Sequence, residues 1–350
     1  VLRLLLVCLA VAPLASCASC FPSYCDQPEV LVQPEGVPEA AFPVGAVEKE
    51  IIGGDAVPLM TTTWYPAASE GGEALCYEAL YPSDAQLDAP AACADGPRPV
   101  VVYTHGSGGI RFISSFLTEA LAAHGYVVTA PDHTYNTALD ADASRFLDVL
   151  ERRPTDVRLA FDALVDEASD PESPLFGCVD EAAGYAVMGH SFGGYTAFAV
   201  AGARVRSRRG GPPYVGDNRV WAVFTMAPWH AANTIVFGTE DIDVPVMTIT
   251  GERDVTTPWD EVSRLHAPVT ARPSYLGLMP GGGHYTFTPA ACLLYDDDGC
   301  GEEDVDLDLA TGLINRAALL FFDEARGLDV EPPTSVEDEA LVWDPEIPWL

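Results

Sequence analysis

Ten residues, Tyr185-Ala186-Val187-Met188-Gly189-His190-Ser191-Phe192-Gly193-Gly194, limit the fold more tightly than any other stretch of the chain. A run of strand-forming residues passes at once into a Gly-x-Ser-x-Gly turn and then into residues with helical character. A turn this tight needs tiny residues on either side of the serine, and Gly189 and Gly193 supply them. It lifts the Ser191 hydroxyl above the strand ends and turns the backbone N–H of Phe192 to the same side. The helix that follows adds the positive end of its dipole. Placed between a strand and a helix, the motif reads as a nucleophile elbow.

The rest of the chain repeats the alternation. Residues 100–103, 126–130, 185–188, 220–226, 244–250 and 275–279 read as short buried strands. Residues 112–124, 193–203, 258–266 and 307–326 read as helices, and 155–168 as a helix begun after Pro154. Two earlier strands are expected at 47–52 and 59–65, followed by an irregular segment over 66–99. The pattern predicts an α/β fold with a mostly parallel central sheet and helices on both faces. We expect one catalytic domain over 47–328. A Pro- and Glu-rich tether precedes it over 18–46, and an acidic tail over 329–350 follows as a surface strap.

A serine hydroxyl is a weak nucleophile and needs a base that is itself oriented by an acid. After an elbow of this kind the chain order is serine, acid, histidine, each on a loop beyond a later strand. The strand at 244–250 runs into Gly251-Glu252-Arg253-Asp254, and that at 275–279 runs into Pro280-Gly281-Gly282-Gly283-His284. Asp254 and His284 are therefore the candidates, with Glu252 the rival acid and Asp260 a weaker one. His266, the other histidine beyond Asp254, falls near the end of a helix and reads as a solvated surface residue. A second oxyanion donor is expected in His105-Gly106-Ser107-Gly108-Gly109, with the N–H of Ser107 first and that of Gly106 second. His105 and His133 read as loop-shaping, and Asp132 and Asp156 as partners of Arg158 in structural ion pairs. Arg204, Arg206, Arg208 and Arg209 cluster after the elbow helix, where a helix C-terminus favours cations.

The start of the chain is of another kind. Arg3 precedes an apolar run over 4–14 that ends in Leu14-Ala15-Ser16-Cys17, too short for a membrane span and suited to a secretory signal. It resembles a bacterial lipoprotein signal over 1–17. That resemblance makes Cys17 the lipidated N-terminus and anchors the protein in the cell envelope, at the outer membrane or cell surface. The alternative is a plain signal cut near Ala18 or later, giving a periplasmic or secreted protein. Without Cys8 and Cys17, seven of the nine cysteines remain. Neighbours in sequence suggest Cys20–Cys25, Cys76–Cys93 and Cys292–Cys300, with Cys178 left free. No Cys-x-x-Cys or Cys/His cluster points to a metal. The charge balance, 18 basic against 52 acidic residues for a net −34, repels nucleic acid and excludes it as a partner.

From about residue 58 to residue 287 the chain resembles the α/β-hydrolase branch of predicted dienelactone hydrolases. That branch includes platelet-activating-factor acetylhydrolase-like and cutinase-like polyester-hydrolysing enzymes. The resemblance is carried by Trp64-Tyr65-Pro66, His105-Gly106-Ser107-Gly108-Gly109, His124-Gly125-Tyr126-Val127-Val128 and Pro131-Asp132-His133. Arg153-Pro154-Thr155-Asp156-Val157-Arg158, Gly189-His190-Ser191-Phe192-Gly193-Gly194 and Ala227-Pro228-Trp229 extend it. It implies a Ser191–Asp254–His284 triad and an oxyanion hole from Ser107 and Phe192, with no cofactor or metal. Trp229 would line an acyl or aromatic subsite, and His190 is a second substrate-binding candidate. True dienelactone hydrolases carry a cysteine where Ser191 stands, and this departure points to ordinary esters. The expected reaction is cleavage of short to medium acyl esters, small or polymeric, through an acyl-Ser191 intermediate. A serine peptidase of prolyl-oligopeptidase type and a non-catalytic surface-binding lipoprotein are the alternatives. No long amphipathic lid is expected between 226 and 244, since Ile235, Val236 and Phe237 run together. A loop closed by Cys76 and Cys93 is the one segment expected to be able to cover the site.

Overall fold

The computed structural model describes residues 23–343 except 28–29, 33, 70–71, 206–213, 215, 230–235 and 337–338. The signal segment, Cys17, Cys20, Arg206, Arg208, Arg209 and Ile235 lie outside the described residues, as do the side chains of Val236 and Phe237.

Four strands open the domain: β1 (Val44–Ile52), β2 (Pro58–Pro66), β3 (Glu73–Tyr77) and β4 (Tyr81–Leu87). β5 (Val100–Thr104), β6 (Val127–Pro131) and β7 (Tyr185–His190) follow, then the two-residue β8 (Arg204–Val205), β9 (Val220–Met226) and the equally short β10 (Val236–Phe237). β11 (Val246–Gly251), β12 (Ser274–Met279) and β13 (Val342–Trp343) complete the set. The main sheet runs β13-β12-β11-β9-β7-β5-β6-β2-β1-β4-β3. From β12 through β6 every pairing is parallel. Strands so placed are buried on both faces, which is why they read as unbroken apolar runs rather than alternating ones.

Helices cover both faces. α1 (Ser115–Ala123) and α5 (Leu307–Ala325) lie on one, bringing Phe116, Leu121, Ile314 and Phe321 into one core with Val101, Tyr103 and Met188. α2 (Phe146–Ser169), α3 (Phe192–Val200) and α4 (Trp259–His266) lie on the other, where Phe161, Phe198 and Leu265 share a core with Val100, Val102 and Val187. Neighbouring residues of β5 thus face opposite cores, as the two-residue strand repeat requires. The chain leaves β5 for β6 on one side and returns to β7 on the other. That reversal opens a crevice at the carboxyl ends of β5 and β7, the usual place for a ligand in such a sheet.

α2 does not begin after Pro154 but encloses it. A proline inside a helix orphans the carbonyl four residues back, that of Leu150. The Tyr195 hydroxyl donates to it at 2.8 Å, so the helix survives. The segment over 66–99 holds the β3–β4 hairpin at the far edge of the sheet, and none of its described residues lines the cavity at the crevice. The disulfides are Cys25–Cys76, Cys93–Cys178 and Cys292–Cys300, so Cys178 is not free and Cys76 does not pair with Cys93. Cys93 and Cys178 lead into β5 and β7, which are neighbours in the sheet, and the backbone N–H of Arg98 already donates to the Cys178 carbonyl. Cys25 lies beside the hairpin, where Tyr24 donates to the Leu80 carbonyl. Sheet order, not distance along the chain, chose the partners.

His266 is buried, between the hydroxyls of Thr248 at 2.9 Å and Ser274 at 3.0 Å, and is not a solvated surface residue. Arg158 is exposed and partners neither aspartate: Asp132 pairs with Arg111 at 2.7 Å, and Asp156 with Arg152 at 3.2 Å. Two residues along a helix point to different faces, so Arg158 turns away from Asp156. In the stretch read as a tether, Glu35 donates to the Asp308 carbonyl and Ala41 and Phe42 to that of Ala123. β13, from the acidic tail, adds a strand to β12.

Candidate active site

The elbow has the shape its sequence demands. Ser191 sits between β7 and α3 with φ 55° and ψ −117°, a conformation that costs a residue with a side chain about 1–3 kcal/mol. The surroundings enforce it. A Cβ on Gly193 would run into the carbonyl of Thr104 at the end of β5, so only glycine lets the helix start this close to the neighbouring strand. The Ser191 N–H donates to the Met226 carbonyl at 2.9 Å, and its own carbonyl accepts from Trp229 at 2.9 Å. Phe192 is the first residue of α3, so its N–H has no acceptor within the helix.

Asp254 and His284 meet on the loops after β11 and β12. Nδ1 of His284 lies 2.8 Å from Oδ2 of Asp254, and both residues are buried. The carboxylate is held by the N–H groups of Thr256 at 2.9 Å and Thr257 at 2.6 Å and by the Thr257 hydroxyl at 2.7 Å. An acceptor so fully supplied stays where it is put, and an Nδ1–H donated to it leaves Nε2 of His284 free to take a proton. The rivals point elsewhere: Glu252 accepts the Gly281 N–H at 3.0 Å, and Asp260 pairs with Arg264 at 2.9 Å.

Thr257 was not singled out from the sequence, and neither was Asp298. Oδ1 of Asp298 accepts the backbone N–H of His284 at 3.0 Å, and Oδ2 accepts the Thr256 hydroxyl at 2.9 Å. One side chain thus ties the histidine loop to the acid loop. Gly283 permits the approach, because a Cβ there would strike the backbone of Asp298 and Gly299. Nothing in the acidic run Asp296-Asp297-Asp298 marks the third as different.

The loop after β5 borders the same space. Gly106 packs against Ser191 so closely that a Cβ on it would lie 3.2 Å from the serine Cβ. The Gly106 carbonyl accepts from Nδ1 of His105 at 2.7 Å and from the N–H of Gly109 at 3.1 Å. The N–H of Ser107 shares that peptide plane and points the opposite way. Asn136 fixes the loop further, donating to the Ser107 hydroxyl at 3.0 Å and accepting from Gly108 at 3.0 Å. Burial pulls His105 and His133 well below the ordinary histidine range, so both serve as neutral hydrogen-bonding groups.

These elements enclose a cavity of about 350 Å³ whose wall includes Ser107, His190, Ser191, Phe192, Trp229 and His284, with Asp254 behind the histidine. Trp229 stands edge-on to Phe192 at 5.2 Å and Phe146 at 6.2 Å. His190 donates from Nε2 to the His284 carbonyl at 3.0 Å, its ring centroid 4.6 Å from that of His284. Tyr285 and Tyr295, stacked at 4.8 Å, also line the cavity, and Leu294 and Tyr295 are exposed. A depression of about 410 Å³ at the opposite ends of the strands, lined by Arg158, Asp162 and Arg219, holds no serine, cysteine or histidine. Among the described residues no group of histidine, cysteine or acidic side chains is placed to hold a metal ion.

Known proteins resemble the chain. A ferulic acid esterase from Streptomyces cinnamoneus superposes with a TM-score of 0.64 at 23% identity, over 90% of this chain and 100% of its own, which shows a shared α/β-hydrolase fold. No curated protein matches the chain by sequence. The family model described as PET hydrolase-like matches residues 101–290, a span running from β5 through the histidine loop. The chain belongs to the PET hydrolase-like family of α/β-hydrolases.

Proposed function

We propose that this protein hydrolyses carboxylic esters through an acyl-Ser191 intermediate. The observation that carries the reading is the Asp254–His284 pair opening onto the same cavity as a serine held at φ 55° on a strand-to-helix elbow. His284 takes the Ser191 proton as Oγ attacks the ester carbonyl, and Asp254 stabilises the imidazolium that forms. The N–H groups of Ser107 and Phe192 hold the oxyanion. Collapse of the tetrahedral adduct transfers the His284 proton to the departing alcohol and leaves the acyl group on Ser191. Water, deprotonated by His284, then releases the acid by the same steps.

Trp229, Phe192 and Phe146 make an apolar wall suited to an aromatic or short aliphatic acyl group. The mouth, where Leu294 and Tyr295 are exposed, suits an ester presented by a larger or polymeric substrate. Each CH₂ that leaves water adds only about 0.8 kcal/mol, and a small cavity soon runs out of wall. Fluorophosphonate labelling with and without Ser191→Ala, followed by rates on p-nitrophenyl esters from acetate to palmitate and on a peptide panel, tests the reading. Labelling of Ser191 and an optimum at short to medium acyl esters are expected. Peptide cleavage without ester cleavage would replace it with a peptidase, and an optimum at palmitate with activation by emulsion would make it a lipase.

The three disulfides fit an exported protein. We further propose that residues 1–17 are a signal and that Cys17 carries a lipid anchor ahead of the domain over 47–328. Membrane fractionation of wild type and Cys17→Ser tests this, and a mature N-terminus beyond Cys17 would end the anchor proposal.

A further inference from the structure

One buried charge is not used by the chemistry described above. Arg153 is fully buried in the middle of α2, and among the described residues no carboxylate touches its guanidinium. Its partners are neutral oxygens: the hydroxyl of Thr196 at 3.0 Å, the side-chain carbonyl of Asn136 at 2.8 Å, the hydroxyl of Thr104 at 3.1 Å and the backbone carbonyl of His105. The guanidinium also lies over the Phe192 ring, 4.7 Å from its centroid. Asp156 is engaged elsewhere, by Arg152, by the N–H of Gly54 and by His133. A buried cation without a contacting anion is costly, and where only packing is needed apolar residues usually serve as well or better. Burial accordingly pulls this guanidinium down from the ordinary arginine range.

The partners explain its place. Asn136 reaches on to the Ser107 hydroxyl, and His105 leads directly into Gly106 and Ser107, so two contacts run to one oxyanion donor. Thr196 donates back to the Phe192 carbonyl at 3.0 Å, and with the ring contact two more run to the other donor. Resting on the proposed serine mechanism, we infer that Arg153 is the positioning residue that sets both halves of the oxyanion hole against each other, its charge, touched by no carboxylate, favouring the negative oxygen formed in the transition state. Positive potential in a low-dielectric site aids the transition state more than the neutral ester, so its loss falls on kcat rather than KM.

The test compares wild type, Arg153→Gln, Arg153→Lys and Asn136→Ala on p-nitrophenyl butyrate, with thermal melts and inhibition by butylboronic acid, which forms a tetrahedral adduct on serine. We expect Arg153→Gln to lower kcat about 100-fold, the loss typical of an oxyanion donor, with KM within about threefold. Boronate affinity should fall by a similar factor, Arg153→Lys should recover about tenfold of kcat, and Asn136→Ala should lose about tenfold. A folded Arg153→Gln enzyme with kcat within threefold of wild type overturns the inference, as does a loss confined to KM. Should both Arg153 variants fail to fold, an unchanged kcat in Asn136→Ala and in Thr196→Val overturns it, and losses in kcat alone support it. A wild type that cleaves no ester sinks the serine mechanism and this inference with it, whereas an active wild type beside an equally active Arg153→Gln sinks the inference alone.

Discussion

The two halves of the site are held by different means. On the serine side, the elbow and the loop after β5 rest on side chains with no solvent contact: Arg153, His105 and His133 are all fully buried. On the histidine side, the Asp254 and His284 loops are tied together by Asp298, a partly exposed residue in a surface loop closed by Cys292–Cys300. The first half is fixed by the core and shares the core's stability. The second is fixed by a clamp of its own, built from a surface loop rather than from the core. The proposed mechanism therefore joins a permanent, core-held half to a conditional, clamp-held half.

The largest expected effect tests whether the halves act as one. Ser191→Ala and His284→Ala should each lower kcat by about 10⁶, as removal of a serine-protease nucleophile or base does, and the double variant should be little worse. Losses that multiply would mean that the halves contribute separately.

Disulfides divide the halves next. Cys93–Cys178 joins residues 85 apart and Cys292–Cys300 residues 8 apart. Loop-closure entropy assigns them about 4.5 and about 2.5 kcal/mol of stability. Activity should rank them the other way. With Cys93 and Cys178 both changed to alanine, the enzyme that remains folded at low temperature should keep its kcat. With Cys292 and Cys300 changed, kcat should fall about tenfold, because Asp298 loses its fixed place and a charge-assisted hydrogen bond is worth about 1.5–3 kcal/mol. Urea unfolding and steady-state rates on the same samples give both rankings. Matching rankings would show that the two halves of the site are held alike.

The division also separates what could be read from the chain from what could not. The elbow and the loops that bear Asp254 and His284 are legible because each is a local strand-to-loop pattern with its residue at the end. The supports are not, since they come from distant segments: Asp298 is one of three consecutive aspartates, and Arg153 appears only inside a motif with no partner named. Nearness in sequence predicts Cys292–Cys300 but not Cys25–Cys76 or Cys93–Cys178, and for the last the order of β5 and β7 in the sheet decides. The burial of His266 had a signal that was missed. Val262, Leu265 and His266 fall at i, i+3 and i+4, the inward stripe of a surface helix, and all three are buried. The β3–β4 hairpin carried none, since its cysteine and proline obscured any alternation.

A smaller effect sharpens the account of the clamp itself. Asp298→Ala should lower kcat about tenfold to 100-fold by freeing the His284 N–H and the Thr256 hydroxyl. Asp298→Asn, which keeps an acceptor, should recover part of it. The melting temperature should move little, because the residue serves two loops rather than the core. A large drop in stability with kcat unchanged in the surviving enzyme would make Asp298 a structural residue and nothing more.

The smallest expected effect concerns protons. His266 lies under the conditional half, bonded to Thr248 of β11 and Ser274 of β12, and burial lowers its pKa from 6.5 to about 4. As pH falls between those values the unfolded chain takes up a proton that the folded one refuses. The contribution to stability is thus intact above 6.5 and is lost progressively down to about 4. At pH 5 the loss relative to pH 7.5 should be about 2 kcal/mol. Asp132 and Asp156, pushed up to about 6 by burial, take up protons in the folded state and oppose this trend. The quantity to measure is therefore the difference between wild type and His266→Gln, which removes one titration and leaves the others. Urea unfolding at the two pH values should show the wild type losing about 2 kcal/mol more than the variant on acidification. An equal loss in both would show that His266 takes its proton inside the folded protein as readily as in the unfolded chain.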